Sequence, residues 1–562
     1  MRGRWIDVAW LLAFGLASSA WCVTAATKLG VTFDEPLYVK AGLMSWRTGS
    51  NKLLMRAGTM PLPVDVQTLP LYLWEQCRGQ EFDAVQDLHA LLPICRTTNL
   101  VFWWLLLFYT MRLGRTFGGT WGGRLAVALV ACEPNLLGHA ALATTDIALV
   151  ACMMMLIYHF HHNYLPNANW KRRVLVPGVL YGVALTAKAS TLAFGPQAML
   201  VLAMWNLARA GTLTPPPGST LRGKLVHLWH ATYQFRKDII FIGLIGMVVL
   251  FGYCGCDWGT EPTFIKWANA LPEGPVKQLM VPLSHELKIF TNAGEAIVHQ
   301  VKHNMRGHGT YLLGQWHQRA TPIYFPLALS MKIPLPILVL LLAALVVHPR
   351  RLLIPIGGVA LLLLAFTPNC RVQIGIRFMF PLMVLTYITI AAAIARGWAE
   401  QEGGGSQRVV PRWLVATLIA MLAGTAAWVW PHGLSYFNQA WGGQEGGTHL
   451  LHDSNYDWGQ GVPELRTWNE QHNDGQPLAV WYYGSDTDVA RPPLAQLGVS
   501  WIPVQYEGDL KSICPTKYLA VSVSILSNNP APTPPHRARL EWLEQQTPVA
   551  RTTHFCIYQL RD

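Results

Sequence analysis

Apolar stretches separated by short polar connections run along the chain from its start to about residue 430. A helix needs about 20 mostly apolar residues to cross a membrane, because that length spans the hydrocarbon core with every backbone group hydrogen-bonded within the helix. Eleven stretches approach this length, namely residues 8–27, 97–112, 124–142, 145–161, 174–187, 190–208, 239–256, 333–348, 352–367, 378–396 and 412–430. The pattern predicts an α-helical polytopic membrane protein with about 11 transmembrane helices.

Composition supports this prediction and excludes several other classes of protein. Hydrophobic residues make up 52% of the chain and charged residues 13%, about half of the charged share found in soluble domains. Such a chain is neither a disordered protein, nor a collagen, nor a small disulfide-stabilised domain. The net charge of +12 does not indicate a nucleic-acid partner, because the basic residues concentrate in short loops on one side of the predicted helices.

These basic residues predict the orientation, since short cytoplasmic loops carry an excess of Lys and Arg. With a cytoplasmic N-terminus, the inner side receives Arg2, Arg4, Arg112, Arg115, Arg124, Lys171, Arg172, Arg173, Arg209, Arg222, Lys224, Arg236, Lys237, Arg350, Arg351, Arg396, Arg408 and Arg412. The loops 28–96 and 257–332 then lie outside the cytoplasm, together with the tail. We expect a transmembrane domain over residues 1–430, with its first helix retained rather than cleaved as a signal peptide, and an extracytoplasmic domain over residues 431–562.

The tail has the pattern of a small α/β domain. Short β-like runs cover residues 478–483, 517–523 and 553–558, and a helical stretch covers residues 537–546. The proline-rich segment 529–535 is typical of a surface loop. This domain is a candidate for recognising an acceptor or for capping a site in the membrane domain.

Two pairs of cysteines lie in predicted extracytoplasmic segments. Cys77 and Cys95 share the first outer loop, and Cys514 and Cys556 share the tail. Because disulfides persist in oxidising compartments, we expect each pair to form a disulfide.

Two adjacent acids follow the first predicted helix directly. Asp34 and Glu35 stand at a membrane boundary, with Tyr38 in the next turn as a candidate substrate contact. Neighbouring carboxylates repel each other and are costly there unless a cation, a metal or a substrate uses them. The structural alternative is a helix cap, in which Asp34 accepts hydrogen bonds from the amides of the following turn.

A second polar site lies between the third and fourth predicted helices, where His139 precedes Asp146. Thr144, Thr145 and Asp146 together are also a good helix start, so capping is again the alternative. The predicted topology places this connection on the same outer side as Asp34. Two acids that converge there are able to divide the roles of general base and of metal or cation holder.

Basic residues also occur at predicted outer boundaries, against the topological bias. These are Lys188, Lys332, Arg371 and Arg377. Cations held at the lipid boundary suit the phosphate of a lipid headgroup. For each single residue, the alternative is a long side chain that extends from a helix end toward the interface. The tripeptide Asp486-Thr487-Asp488 has the DxD pattern of nucleotide-sugar enzymes, but one such tripeptide is common by chance.

Taken in order, these motifs resemble the GT-C class of polytopic glycosyltransferases, in the branch that contains protein O-mannosyltransferases and the aminoarabinose transferase of lipid A. The motifs are Phe33 to Pro36, Glu133 to Asp146, Thr186 to Ser190, His308 to Gly314, Tyr324 to Pro334 and Gly375 to Phe378, followed by Asp453 to Gln460, which is similar to a string in bacterial relatives. The resemblance runs from about residue 30 to about residue 465. It implies a bacterial plasma-membrane enzyme of the cell envelope.

The resemblance implies that a sugar moves from a polyprenyl-phosphate carrier to an acceptor on the outer face, with inversion. Asp34 is then the general base, Glu35 orients the acceptor or a cation, and Asp146 is a second acid. Further roles are implied for the remaining motif residues: His139 positions its loop or binds a metal, Lys188, Lys332, Arg371 and Arg377 bind phosphate, and His308 and Tyr311 contact substrate. A divalent metal ion is compatible with the resemblance, which leaves the sugar and the acceptor (glycan, lipid or protein) open.

The alternative function is a transporter or flippase for a lipid-linked or anionic substrate, with the same charges lining its path. Transporters often contain internal repeats with interrupted helices in matching halves. No such repetition is visible in this sequence, and the polar motifs concentrate on one predicted face. We therefore favour the transferase.

Overall fold

The computed structural model describes residues 2–165, 168–255, 260, 262–288, 292–405, 408–499, 510, 514–527 and 540–561. Over these residues the protein is predominantly helical. The first twelve helices are α1 (Arg2–Ala26), α2 (Glu35–Thr48), α3 (Lys52–Arg56), α4 (Leu62–Arg78), α5 (Leu88–Thr98), α6 (Leu100–Ala131), α7 (Pro134–Ala140), α8 (Asp146–Asn163), α9 (Val176–Ala187), α10 (Thr191–Arg209), α11 (Leu221–Ala231) and α12 (Tyr233–Cys254). They are followed by α13 (Pro262–Asn269), α14 (Pro275–Glu286), α15 (Asn292–Arg306), α16 (Tyr324–Lys332), α17 (Leu335–Val347), α18 (Pro355–Phe366), α19 (Phe380–Glu402), α20 (Arg412–Trp428), α21 (Gly443–Gly447), α22 (Val462–His472) and α23 (Val523–Leu526).

The predicted polytopic helical fold is confirmed. Among the described residues, five helical segments are long and apolar enough to cross a membrane: Trp5–Ala26, Leu88–Ala131, Thr191–Arg209, Tyr233–Cys254 and Ile376–Glu402. The pair α16 and α17 passes the same test as one span bent by 107°. The chain is therefore a multi-pass membrane protein, and the count of about 11 spans stays a prediction.

Two of the predicted spans, 97–112 and 124–142, are joined in α6. Gly119 has a φ of 67° inside this helix, a left-handed conformation that glycine adopts without strain. A Cβ atom on Gly114 would lie 2.6 Å from the carbonyl oxygen of Gly122, although residues eight positions apart in a straight helix are separated by about 12 Å. The chain therefore folds back at Gly119, and the halves pack through small residues. The second half stops at Ala131, and the short helix α7 completes the rest of that predicted span.

Three of the arginines predicted on the cytoplasmic side, Arg115, Arg124 and Arg173, pair with acids near the starts of α1 and α12. Asp7 of α1 pairs with Arg115 and accepts from Arg124 at 2.8 Å. Asp238 of α12 pairs with Arg173 at 2.6 Å. Opposite charges near a membrane interface stabilise each other more than in water because solvent screens them less.

The tail contains a five-stranded sheet, which confirms the predicted C-terminal α/β domain. Its strands are β3 (Leu478–Tyr482), β4 (Leu494–Val499), β5 (Tyr518–Ser522), β6 (Ala550–Arg551) and β7 (Phe555–Gln559), in the order β4-β3-β5-β7-β6. Strand β3 is parallel to β4 and β5, and β7 is antiparallel to β5 and β6. A two-stranded hairpin, β1 (Thr310–Leu312) with β2 (Gln315–His317), lies before α16.

Alternate residues of β3 pack on opposite faces of this sheet, as the period of a strand requires. Leu478, Val480 and Tyr482 pack in a cluster with α22, and Ala479 and Trp481 pack on the other face. The three predicted β-like runs coincide with β3, β5 and β7. Residues 540–544 of the predicted helix are helical. Its first three residues and the proline-rich segment 529–535 lie outside the described residues.

The expectation of two disulfides is wrong. Cys77, Cys95 and Cys556 all carry free thiols, so neither predicted pair is bonded. The physical reason is the packing of the first outer loop: Cys95 is buried in the core beneath α2 and α4, while Cys77 is exposed near the end of α4. Shared topology puts two cysteines in one compartment but does not orient their side chains toward each other.

We predict that Gly114→Ala destabilises the protein, whereas Gly243→Ala, in the open part of α12, does not. The new methyl group at position 114 meets backbone, which cannot move aside, and such overpacking costs about 1–3 kcal/mol. No atom lies within 4 Å of a Cβ at position 243. Thermal unfolding of both variants in detergent measures the difference. Equal melting temperatures would show that the two halves of α6 are not in close contact.

Candidate active site

The first outer loop is anchored by a buried ion pair between Glu35 and Arg96. The Arg96 guanidinium donates to both Glu35 carboxylate oxygens at 2.8 and 2.7 Å, and both side chains are almost fully excluded from solvent. Glu35 also accepts from the amides of Thr32 and Ala143 at 2.9 Å each. Burial alone raises the pKa of Glu35, but the charge and hydrogen bonds of Arg96 outweigh it and hold the pKa below its usual value.

Arg96 also holds the chain that leads into this loop. Its remaining donors bind the carbonyl groups of Ala26, Leu29 and Gly30 at 2.7–2.9 Å. One guanidinium on α5 therefore connects the end of α1, the start of α2 and, through Glu35, the loop that follows α7. Because Glu35 is satisfied on all sides, the structure places it behind the site, where it positions Asp34.

The loop before Asp146 is held by amide side chains from the same outer layer. Gln67 of α4 donates to the carbonyl of Thr144 at 2.8 Å, and Asn99 donates to the carbonyl of Leu142 at 2.8 Å. Asp146 then begins α8 with its side chain fully buried. The first outer loop thus positions both acids that the sequence analysis singled out.

Arg377 lies between these two acids. One of its terminal nitrogens, Nη1, is 3.4 Å from Asp34 Oδ2 and 3.7 Å from Asp146 Oδ2. Both distances exceed the 2.7–2.9 Å of a strong charge-assisted hydrogen bond, so the guanidinium is not committed to either acid. Its planar group lies 4.2 Å from the ring centre of Trp458, which holds it by a cation–π contact.

Lys188 and His139 complete the surroundings of Asp146. The Lys188 ammonium pairs with Asp146 Oδ1, and His139 Nδ1 lies 3.6 Å from Asp146 Oδ2. Asp34 is the more accessible acid, with 28% of its side chain exposed against 0% for Asp146. The Tyr38 hydroxyl donates to Asp34 at 3.3 Å. The structure therefore brings Asp34, Tyr38, His139, Asp146, Lys188 and Arg377 together.

The tail closes one side of this cluster. The amide of Phe33 donates to the carbonyl of Trp458 at 3.0 Å, and the ring of Phe33 stacks on Tyr483 with centroids 5.9 Å apart. The Ser485 hydroxyl binds the carbonyls of Thr32 and Phe33. The segment from Thr32 to Asp34 is therefore held by contacts from both the membrane domain and the tail.

A small pocket opens beside Arg377. It is lined by His308, Gly309, Tyr311, Trp316, Tyr324, Gln373, Ile374, His452 and Asp453. Asp453 has a φ of 59°, accepts from Tyr483 at 2.9 Å and acts electrostatically on Arg377. Burial raises the pKa of Asp453, with Arg377 opposing the shift. Burial lowers the pKa of His452 to about 3, and neither of its ring nitrogens has a hydrogen-bond partner among the described residues.

Two predicted phosphate ligands lie elsewhere. The Lys332 ammonium is fully buried and donates to the carbonyls of Leu434 and Asn455 at 2.8 and 2.7 Å. It ties the end of α16 to the tail. Arg371 is exposed, and it bonds to Asn304 and Met305 on α15. Neither side chain joins the cluster around Arg377.

The acid pair is a poor fit for a metal ion. Arg377 lies between Asp34 and Asp146, and Lys188 already neutralises Asp146. Among the described residues, groups of three metal-ligating side chains occur at two other places: His89 with Asp486 and Asp488, and His432 with Glu464 and His554. The possible divalent metal of the sequence analysis therefore has candidate donors away from the acids.

Sequence reasoning missed Arg96, Trp458 and Tyr483. Arg96 stands within an apolar run at the end of a predicted outer segment. A lone arginine in such a run indicates that its side chain has a buried partner. Trp458 lies inside the Asp453 to Gln460 string, which was recognised as a motif without a role. Tyr483 ends a predicted strand, and no local pattern distinguishes it from a core residue.

Residues 94–220 match the family model described as dolichyl-phosphate-mannose-protein mannosyltransferase. The predicted family resemblance is confirmed. The matched segment runs from the end of α5 into the connection before α11 and contains His139, Asp146 and Lys188. Over this segment, which supplies His139, Asp146 and Lys188 of the cluster, the chain is similar to that mannosyltransferase family. No curated protein matches the chain significantly.

The chain is also similar, at low sequence identity, to solved structures of other proteins. ArnT from Cupriavidus metallidurans in the apo state is 14% identical, with a TM-score of 0.45 over 99% of this chain and 98% of that chain. The oligosaccharyltransferase AglB from Archaeoglobus fulgidus, in complex with an inhibitory peptide and a dolichol-phosphate, is 10% identical. Its TM-score is 0.43 over 93% of this chain and 70% of that chain.

We predict that Arg96→Met destabilises the protein strongly, because it leaves the Glu35 carboxylate buried without its partner. Breaking such a pair costs about 3–5 kcal/mol. The matched control is Arg412→Met, whose pair with Glu402 is exposed on both sides and is worth about 0–1 kcal/mol. Thermal unfolding in detergent compares the two variants. Equal melting temperatures for Arg96→Met and the control would show that Arg96 does not anchor the first outer loop.

Proposed function

We propose that this protein is a membrane glycosyltransferase that moves a sugar from a polyprenyl-phosphate carrier to an acceptor on the extracytoplasmic face. The observation that carries the proposal is a partly exposed carboxylate, Asp34, beside a guanidinium that is shared with a second, buried acid. The family match supports the same reaction class, since its description names a lipid-phosphate-linked sugar as donor.

Asp34 acts as the general base in this proposal. An acceptor hydroxyl loses its proton to Asp34 while its oxygen attacks the anomeric carbon, and the bond from that carbon to the carrier phosphate breaks. A single displacement of this kind inverts the anomeric centre. Asp34 suits the role because its side chain is accessible and its contacts with Tyr38 and Arg377 are long, at 3.3 and 3.4 Å.

Arg377 and Lys188 receive the leaving phosphate. Arg377 is able to offer two parallel donors to a phosphate, and Lys188 adds a point charge. The Nε of Arg377 has no hydrogen-bond partner among the described residues, so this N–H group is left to donate to a ligand. Negative charge that develops on the phosphate is stabilised by these cations in a site with little competing water. Asp146 keeps both cations in place and charged until the substrate arrives.

The pocket beside Asp453 is proposed to hold the sugar or the acceptor. Its aromatic walls, Tyr311 and Trp316, suit the apolar face of a sugar ring, and His308 and His452 offer polar contacts for hydroxyl groups. Asp453 belongs both to this pocket and to the surroundings of Arg377. A ligand in the pocket would therefore be adjacent to the proposed phosphate site.

We predict that Asp34→Asn abolishes sugar transfer without unfolding the protein, because the amide keeps the shape of the side chain but cannot accept the proton. Loss of a general base lowers the rate by about 10²–10⁴-fold. The assay uses proteoliposomes with a panel of radiolabelled polyprenyl-phosphate sugars and a membrane extract as acceptor source. Glu81→Gln, an exposed carboxylate in the same loop, is the control and keeps full activity.

The same assay separates the transferase from the transporter. Wild-type protein that moves labelled donor between leaflets without consuming it would support the transporter and overturn the proposal. Full transfer activity in Asp34→Asn would remove the base assignment alone.

We predict that His308→Ala raises the KM for donor or acceptor by about tenfold and changes kcat little, because a pocket contact contributes about 1–2 kcal/mol of binding. The control is His285→Ala, which removes an exposed imidazole from α14 in the same outer segment. Initial rates at varied donor and acceptor concentrations measure both constants. Unchanged KM values for both substrates would place the sugar and the acceptor outside this pocket.

A further inference from the structure

Three side chains from distant parts of the chain meet at the junction between the last apolar helix and the tail. His432 follows α20, Glu464 lies in the first turn of α22, and His554 precedes β7. One ligating atom from each residue lies within 4.8 Å of the other two. His554 is fully buried, and Glu464 is about one-third exposed. The group is separate from the acid cluster and has no part in the proposed transfer reaction.

Each of these residues has one buried side-chain atom that makes no hydrogen bond in the described part of the chain. His432 Nδ1, Glu464 Oε2 and His554 Nδ1 are all buried and lack a hydrogen-bond partner among the described residues. The other Glu464 oxygen is occupied, because it accepts from the amide and the hydroxyl of Thr553 at 3.0 Å each. His554 Nδ1 and Glu464 Oε2 lie 3.4 Å apart and form an ion pair only when the imidazole is protonated. Because buried polar atoms are normally satisfied, a neutral His554 would leave all three atoms in need of a common partner.

We propose that His432, Glu464 and His554 bind a zinc ion that fastens the tail to the membrane domain. Two imidazoles and one carboxylate form a ligand set that zinc uses with a water in the fourth position. In a tetrahedral site with bonds of about 2.0–2.1 Å, neighbouring ligand atoms lie about 3.4 Å apart. The distance from His554 Nδ1 to Glu464 Oε2 is 3.4 Å.

Ser435 is placed to hold Nε2, the ring nitrogen of His554 that would not bind the metal. A histidine that binds metal through one nitrogen usually donates from the other. His554 Nε2 lies 3.0 Å from the Ser435 hydroxyl oxygen, whose own proton goes to the carbonyl of Tyr456. Ser435 is thus able to accept a proton from Nε2 and leave Nδ1 for the metal. Gln460 Nε2 also lies 2.9 Å from His554 Nε2 and is able only to donate there, so metal binding through Nδ1 requires this amide group to turn away from Nε2 and keep its bond to the carbonyl of Tyr456.

The second donor group is a weaker candidate. Asp488 is already paired with Arg491 at 2.8 Å, and Asp486 accepts from the amides of Val31 and Asp488. His89 lies 2.9 Å from Asp486, which makes an ordinary ion pair when the imidazole is protonated. His89 Nε2 and Asp488 Oδ1 also lack a hydrogen bond among the described residues, but each lies within 2.9 Å of an atom of opposite charge, so this group requires a metal less than the first. His89 therefore provides a matched control for the zinc site.

The test measures zinc bound to the purified full-length protein in detergent. We expect one zinc per chain in the wild type and in His89→Gln, and at least tenfold weaker binding in His432→Gln and Glu464→Gln, measured by elemental analysis after equilibrium dialysis. Zinc should also raise the melting temperature of the wild type but not of Glu464→Gln. Loss of zinc in His89→Gln with retention in His432→Gln would overturn the assignment.

A second measurement on the wild type does not depend on folding of the variants. Cobalt in place of zinc should give the strong visible absorption of a four-coordinate site with nitrogen ligands, and zinc should displace it. Absence of that spectrum, together with a melting temperature that neither zinc nor a chelator changes, would overturn the proposal. Because none of these readouts involves sugar transfer, their outcome is independent of the proposed function.

Discussion

The candidate site depends on the buried ion pair between Glu35 and Arg96, because a charge buried in a protein needs an opposite charge beside it. Removing both groups from water is costly, so they are stable there only in contact with each other and with further hydrogen bonds. Those bonds come from the end of α1 and from the loop before α8. Because Glu35 follows Asp34 directly in the chain, this anchor also fixes an accessible carboxylate at the protein surface.

The two acids at the site have different surroundings, and the roles proposed for them follow this difference. Asp146 is enclosed and paired with Lys188, whereas Asp34 has an accessible side chain and only long contacts. Arg377 lies between them without a short bond to either. This arrangement leaves the Arg377 guanidinium available to an anion, as a preorganised electrostatic site requires.

Much of this arrangement could be predicted from the sequence, because membrane helices and their polar boundaries follow from hydrophobicity. Asp34, Asp146, Lys188 and Arg377 were predicted as one outer group, and the structure places them together. Lys332 and Arg371 had the same local pattern but point elsewhere, since a position at a helix end does not determine where a long side chain finds its partner. Arg96 and Glu35 are 61 positions apart, and such a pairing depends on how helices pack. The two predicted disulfides were wrong for the same reason.

The contacts between the first outer loop and the tail have a consequence for biosynthesis. Ser485 binds the carbonyl of Thr32, a residue made 453 positions earlier, and Trp458 stacks on Arg377 from the same distal region. Since translation proceeds from the N-terminus, Asp34 is made long before the tail residues that will hold it. In a nascent chain that ends before Trp458, Asp34 and Arg377 would lack their supports from the tail, so the cluster is assembled only after the tail has been made.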